Sequence, residues 1–300
     1  MPKIKNSIFF ISLILMTGIS LAKPIKTKYG KTQNGKMRAS DLEDLSTEVI
    51  GSQKKMSNDH FVEVVADPQK ARNDQERLAA LSAREIFILV DRSGSMGSND
   101  DNPTGRRSPS WTRWDSARVA AESIVELALC FDIDNKVEVT LWSGIGFKTE
   151  LIGDVNGISK LFSKNSPSGG TPLAEVLEDV YKRRLKSLLK KSEPFTVLVL
   201  TDGAPDDSGR VKKFFKKIIK DHSLESYGRE TLAAFSFVRM GDDSGAASFL
   251  KDLDDNLVSE LNVNVDIVDT KEDNFLFGTG KYTGNPSVGP FAIFWDALYD

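Results

Sequence analysis

Two short runs, residues 85–90 (EIFILV) and 195–200 (FTVLVL), constrain this chain most. Each has the length of a strand and is almost wholly apolar, the pattern of a strand buried on both faces. Such a strand needs helices on either side of its sheet, and the chain supplies them by alternation. Trp114, Ala117, Ala121, Ile124, Ala128 and Phe131 recur at helical spacing, as do Leu173, Val176, Leu177, Val180 and Leu188 behind Pro172. Phe214, Phe215, Ile218 and Ile219 mark a helix after the second run, and residues 249–253 mark another. Residues 136–142 and 146–151, separated by Ser143-Gly144, read as a hairpin; residues 232–238 and 263–268 read as further strands. Val288, Phe291, Ala292, Trp295, Leu298 and Tyr299 give a final amphipathic helix, expected to dock on the sheet. The alternation predicts an α/β fold, doubly wound, with a mostly parallel sheet, one antiparallel edge strand and helices on both faces.

This pattern occupies residues 84–300. Residues 1–22 read instead as an export signal: Lys3 and Lys5 start it, residues 8–19 are nearly continuously apolar, and Ser20-Leu21-Ala22 places small residues around Leu21. The alternative, an uncleaved N-terminal anchor, has a run short for ~30 Å of hydrocarbon. No other segment is long and apolar enough to span a bilayer, so the mature protein is expected to be periplasmic or secreted, with no integral membrane domain. Residues 23–83 form a polar linker, with residues 61–65 (FVEVV) as its apolar exception. A short helix near the linker's end is expected behind Asp67 and Pro68.

Composition removes several function classes. Forty Lys and Arg stand against 43 Asp and Glu, for a formal net charge of −3, which gives no electrostatic reason to expect nucleic acid. The histidines are His60 and His222 and the single cysteine is Cys130, so a His/Cys zinc site and an internal disulfide are excluded. Cys130 reads as a small buried hydrophobe. The lysine- and arginine-rich faces at residues 183–191 and 212–220 read as solvated helix surfaces.

In doubly wound folds ligands gather beyond the carboxyl ends of the strands. There stand Asp91-Arg92-Ser93-Gly94-Ser95 after the first run and Thr201-Asp202-Gly203 after the second, with Ser168-Gly169-Gly170-Thr171-Pro172 ahead of a helix between them. Taken singly, these residues are ordinary helix caps and turn formers. Taken together, Asp91, Ser93, Ser95, Thr171 and Asp202 resemble the metal-ion-dependent adhesion site of the von Willebrand factor A (VWA) family, an Asp-x-Ser-x-Ser motif with a distant Thr and a distant Asp. The resemblance spans residues 83–269. The segments SFVRMGDD (236–243) and FLKDLDD (249–255) resemble stand-alone VWA proteins of bacteria, fungi and amoebae.

That resemblance implies a Rossmann-like VWA fold and a bound divalent cation. Oxygen ligands at ~2.1 Å suit Mg²⁺, with Mn²⁺ or Ca²⁺ as substitutes. Ser93, Ser95 and Thr171 would give neutral hydroxyl ligands, while Asp91 and Asp202 would balance charge and orient waters. A metal with mainly neutral ligands stays electrophilic and favours an acidic residue donated by a protein partner. The expected function is therefore cation-dependent, adhesion-type protein binding without catalysis. No Walker-type phosphate loop or Gly-x-Ser-x-Gly nucleophile turn appears. The alternatives are a Mg²⁺-dependent phosphatase-like hydrolase and an envelope assembly subunit with a structural metal. The phosphatase type wants a second Asp where this chain has Ser93. A long polar stretch at residues 96–112 follows the first motif and reads either as a solvated loop or as a segment that shapes partner choice or partly lids the site. Asp206 and Asp207 read as caps of the helix starting near Ser208.

Overall fold

The computed structural model describes residues 80–99, 110–131, 136–226, 229–283 and 288–298. The expected signal at 1–22, the expected linker short of residue 80, the expected strand at 61–65 and the middle of the 96–112 stretch lie outside them. Of the helix expected behind Pro68, only residues 80–82 are described, and they are helical.

In chain order the elements are β1 (Glu85–Asp91), α1 (Arg113–Phe131), β2 (Val137–Ser143), β3 (Gly146–Ile152), α2 (Val155–Ser163) and α3 (Leu173–Val180). A π-helical turn, Tyr181–Leu185, carries α3 into α4 (Lys186–Lys191). Then come β4 (Phe195–Thr201), α5 (Ser208–Asp221), β5 (Ala233–Arg239), α6 (Ser244–Asp255), α7 (Leu257–Leu261), β6 (Val268–Glu272), α8 (Asp273–Phe277) and α9 (Pro290–Asp296). The six strands lie in the order β3-β2-β1-β4-β5-β6. All neighbours are parallel except β2 and β3, the expected antiparallel edge hairpin.

Period-two alternation sends each strand's side chains into two cores. Ile86, Ile88 and Val90 of β1, with Leu198 and Leu200 of β4, meet Ala117, Ala121, Ile124 and Ala128 of α1 on one face. Phe87 and Leu89, with Phe195, Val197 and Val199, meet Leu173, Val176, Leu177, Phe215 and Ile218 on the other. Both apolar runs are thus buried on both sides, as their composition requires.

Several elements depart from the sequence reading. Residues 263–267 alternate, with Val263, Val265 and Ile267 buried, yet the strand begins only at Val268. Within this segment the Asn264 N–H donates to the Glu225 side chain, and at the strand's own first residue the Val268 N–H donates to Asp266. The ladder opens where the Phe235 N–H donates to the Ile267 carbonyl, at 2.8 Å. The helix α2 was not expected; Asp154 caps it through the Gly157 N–H, and Ile158, Leu161 and Phe162 bury its inner face. The final helix α9 makes its main contacts with α1 and α8, shares their core with sheet residues such as Leu200 and Val238, and sets Asp296 3.6 Å from Lys271 of β6. It buries Pro290, Ile293 and Phe294, whereas Phe291 and Trp295 are only partly covered.

The basic faces carry partners. Lys212 pairs with Asp252 and Glu260, Lys220 with Glu225, and Arg183 with Glu138 and Asp179. Cys130 falls within α1, and its side chain lies outside the described set. Among the described residues, no helix is long and apolar enough to cross a membrane.

Candidate functional site

Topology brings the motif residues together. From β1 the chain passes to β2 on one side of the sheet, whereas β4 pairs on the other, so the strand order reverses beside β1. Val90 stands opposite Leu200 in that parallel register, so Asp91 falls beside Thr201 and Asp202 follows one residue on at the carboxyl edge.

Asp91 is fully buried. One carboxylate oxygen accepts from the Ser93 N–H at 2.7 Å and the other from the Thr201 hydroxyl at 2.7 Å. Burial pushes its carboxyl up to about 6, with the Asp202 carboxylate adding to the rise and the bonds from Thr201 and Ser93 opposing it. The Ser93 and Ser95 hydroxyls lie 2.9 Å apart, and Ser95 Oγ donates to Asp202 Oδ1 at 2.8 Å. A tight 3₁₀ turn, Gly94–Gly97, holds the two serines this close, with Met96 anchored in the core beneath.

Thr171 arrives on the glycine-rich loop, which is stitched to its neighbours by backbone bonds. The Gly94 N–H donates to the Gly169 carbonyl, the Ser168 N–H to Arg92 and the Gly144 N–H to Gly170. The Thr171 N–H donates to Asp206 Oδ2 at 3.0 Å, and the Asp206 N–H returns to the Thr171 carbonyl at 3.0 Å. A Cβ built on Gly203 would stand 3.7 Å from Thr171 Oγ1 and 3.9 Å from Ser95 Oγ, so both hydroxyls border one point. The structure therefore gathers all five expected residues: Asp91, Ser93, Ser95, Thr171 and Asp202.

Every donor there is an oxygen, three of them neutral hydroxyls, which is the set a hard cation such as Mg²⁺ takes. Among the described residues, no group of three or more His, Cys, Asp or Glu side chains is placed to hold a metal. Cation binding here would therefore depend on the hydroxyls.

Three neighbours were not read from the sequence. Thr201 holds Asp91, and only its place before Asp202 hinted at it. Asp206, expected as a helix cap, instead clasps Thr171, while Asp207 caps α5 through the Arg210 N–H. Arg113, at the start of α1, pairs with Asp202 Oδ2 at 2.8 Å; no motif signalled it. The ends of the 96–112 stretch are closed by a bridge between Asn99 and Thr112, and the Arg113 N–H donates to the Ser98 carbonyl. Thr112 and Asp115 cap α1 reciprocally.

Close packing between loops gives a direct test. A Cβ on Gly144 would meet the backbone nitrogen of Gly170 at 2.9 Å, with no flexible side chain to yield. Gly144→Ala is expected to push the Thr171 loop outward and to cost about 1–3 kcal/mol in chemical denaturation. An unchanged denaturation midpoint would show that the loop gives way freely.

No family model matches the sequence. No curated protein matches it either. Solved structures do match in backbone. The VWA domain of SpRpn10 shares 13% identity at a TM-score of 0.45, over 63% of this chain and 87% of that one. The manganese-loaded TRAP protein of Plasmodium vivax shares 13% identity at a TM-score of 0.43, over 71% of this chain and 74% of that one. The PilB minor pilin of Streptococcus sanguinis shares 14% identity at a TM-score of 0.40, over 63% of this chain and 56% of that one. These are likenesses of backbone alone, the first of them to a VWA domain.

Proposed function

We propose that this chain is an exported, divalent-cation-dependent protein-binding module that works without catalysis. The observation that carries this reading is the convergence at the β1/β4 edge. Ser93, Ser95 and Asp202 form one continuous hydrogen-bonded set, Thr171 Oγ1 borders the same point, and Asp91 lies directly beneath. In this reading Ser93, Ser95 and Thr171 hold the cation, Mg²⁺ or in its place Mn²⁺ or Ca²⁺. Asp91 and Asp202 balance its charge. The bound ion would supply an electrophilic coordination position for an acidic side chain of a protein partner.

The chain's own residues prepare that position. Thr201 and the Ser93 N–H fix the Asp91 carboxylate, and Asp206 holds the Thr171 loop against the site. A position built from neutral hydroxyls leaves the cation more of its charge than one built from carboxylates. With Ser93 two residues after Asp91, the second carboxylate of a phosphatase-type pair is missing, which favours binding over hydrolysis. Export is part of the proposal on the strength of residues 1–22 alone.

The test is capture of partners from envelope or extracellular extracts with the protein in Mg²⁺ or in chelator, repeated with Asp202→Ala. Partner capture should require the cation and should be lost in the variant. Capture indifferent to both would sink the metal-mediated contact.

A further inference from the structure

Arg113 donates no oxygen to a cation, yet it is built into the site. Its guanidinium Nη1 lies 2.8 Å from Asp202 Oδ2, and its Nη2 lies 3.3 Å from Asp242 Oδ1. The side chain is 13% exposed and Asp202 not at all, whereas Asp242 is 99% exposed and adds little. Arg113 is also the first residue of α1, where the helix dipole disfavours a cation. Helix electrostatics therefore do not explain its placement; the buried Asp202 carboxylate does.

The backbone beneath Arg113 is shaped to receive it. Gly241 sits at φ +74°, and a Cβ there would come within 2.6 Å of Arg113 Nε. The turn carrying Gly241 is fixed on both sides: the Met240 N–H donates to the Thr201 carbonyl at 2.9 Å, and the Gly241 N–H to Asp273 Oδ2 at 3.0 Å. Only glycine leaves room for the guanidinium to reach across to Asp202.

Both oxygens of Asp202 are thereby committed, Oδ1 to the Ser95 hydroxyl and Oδ2 to Arg113. A divalent ion bound by the same hydroxyls would stand close to a fixed positive charge. We propose that Arg113 is an internal counter-cation for Asp202: it holds the metal-free site in shape and opposes the incoming ion, so it sets cation affinity low. This rests on the cation-site reading above. It makes cation occupancy responsive to the surrounding concentration instead of permanent.

The sign of the effect separates this role from a purely structural one. An anchor that merely orients Asp202 would, when removed, loosen the ion; a competing charge would, when removed, tighten it. The experiment is Mn²⁺ titration by calorimetry and electron paramagnetic resonance on the full chain, its Arg113→Gln and Arg113→Lys variants, with thermal melts in chelator. Arg113→Gln is expected to bind Mn²⁺ about tenfold more tightly than the parent, and to melt at a lower temperature in chelator. Arg113→Lys, which keeps the charge, should remain near the parent affinity. Binding by Arg113→Gln equal to or weaker than the parent's, in a folded variant, overturns the inference and leaves the cation site standing. Binding by Arg113→Gln where the parent shows none would support it in its strongest form. If neither protein binds Mn²⁺, the inference and the cation site fall together.

Discussion

Asp91→Asn is expected to make the metal-free protein more stable at pH 7.5 while weakening its hold on divalent cations. The buried Asp91 carboxyl titrates near 6, above its ordinary value of 3.8, chiefly because burial penalises the charged form. A carboxyl raised on folding contributes stability that is fully present below its unfolded value and is lost as pH rises through its folded value. The metal-free parent should therefore lose stability between about pH 4 and pH 6. The loss is at most about 3 kcal/mol, since displacing a proton equilibrium tenfold is worth ~1.4 kcal/mol. Asparagine carries no charge to bury, so its stability should be flat across that window. It can still accept from the Ser93 N–H, and the Thr201 hydroxyl can turn to accept from its amide. At pH 7.5 in chelator the variant should be about 1–3 kcal/mol more stable than the parent. Mg²⁺ should stabilise the parent clearly more than the variant, because one of the two carboxylates that offset the ion is gone. Denaturant melts at pH 5 and 7.5, in Mg²⁺ and in chelator, read all of this. A variant less stable than the parent at pH 7.5 in chelator would show that hydrogen bonding at Asp91 outweighs its desolvation.

The largest loss of stability is expected at Phe235→Ala. Phe235 sits on β5, fully buried, with its ring centroid 5.0 Å from Phe215, 5.9 Å from Phe195 and 6.2 Å from Phe214, each pair edge to face. These rings join β4, β5 and α5 into one packed unit. Removing such a ring costs the lost transfer energy and the cavity left behind, about 3–5 kcal/mol for Phe→Ala. Set against about 5–15 kcal/mol for a whole domain, that is a large share. Phe147, on the edge strand β3, is 39% exposed and serves as the control. Phe147→Ala should move stability by about 0.5 kcal/mol or less. Equal losses at the two positions would contradict the placement of the second core.

Much of this molecule is legible in its sequence because burial leaves a periodic trace. The runs at 85–90 and 195–200 are apolar on both sides since helices cover both faces, and β1 and β4 stand at the middle of the sheet. The hairpin of β2 and β3 is equally readable, since Gly144 breaks two alternating segments, although Ser143 still belongs to β2 and the turn is Gly144-Ile145. Period alone does not show whether an alternating segment has a partner strand. Residues 263–267 alternate correctly, yet Glu225 takes the Asn264 N–H there and the strand starts only at Val268. The final helix shows the same limit: its apolar residues announce a buried face, but only the tertiary structure makes α1 and α8 its main neighbours.

At the candidate site, the identities of Asp91, Ser93, Ser95, Thr171 and Asp202 and their places after strands and before a helix are properties of the sequence. Oxygen chemistry follows from those residue types, because hydroxyls and carboxylates are the donors a hard cation selects. What each atom touches was decided by the tertiary structure. Arg113 reaches Asp202 across 89 positions of chain, through a passage that exists only because Gly241 has no side chain. Thr201 and Asp206 acquire their roles by register and loop packing, not by motif. Side-chain periodicity records what is hidden from water and therefore shows in the order of residues; the pairing of single charges depends on distances that exist only once the sheet has formed.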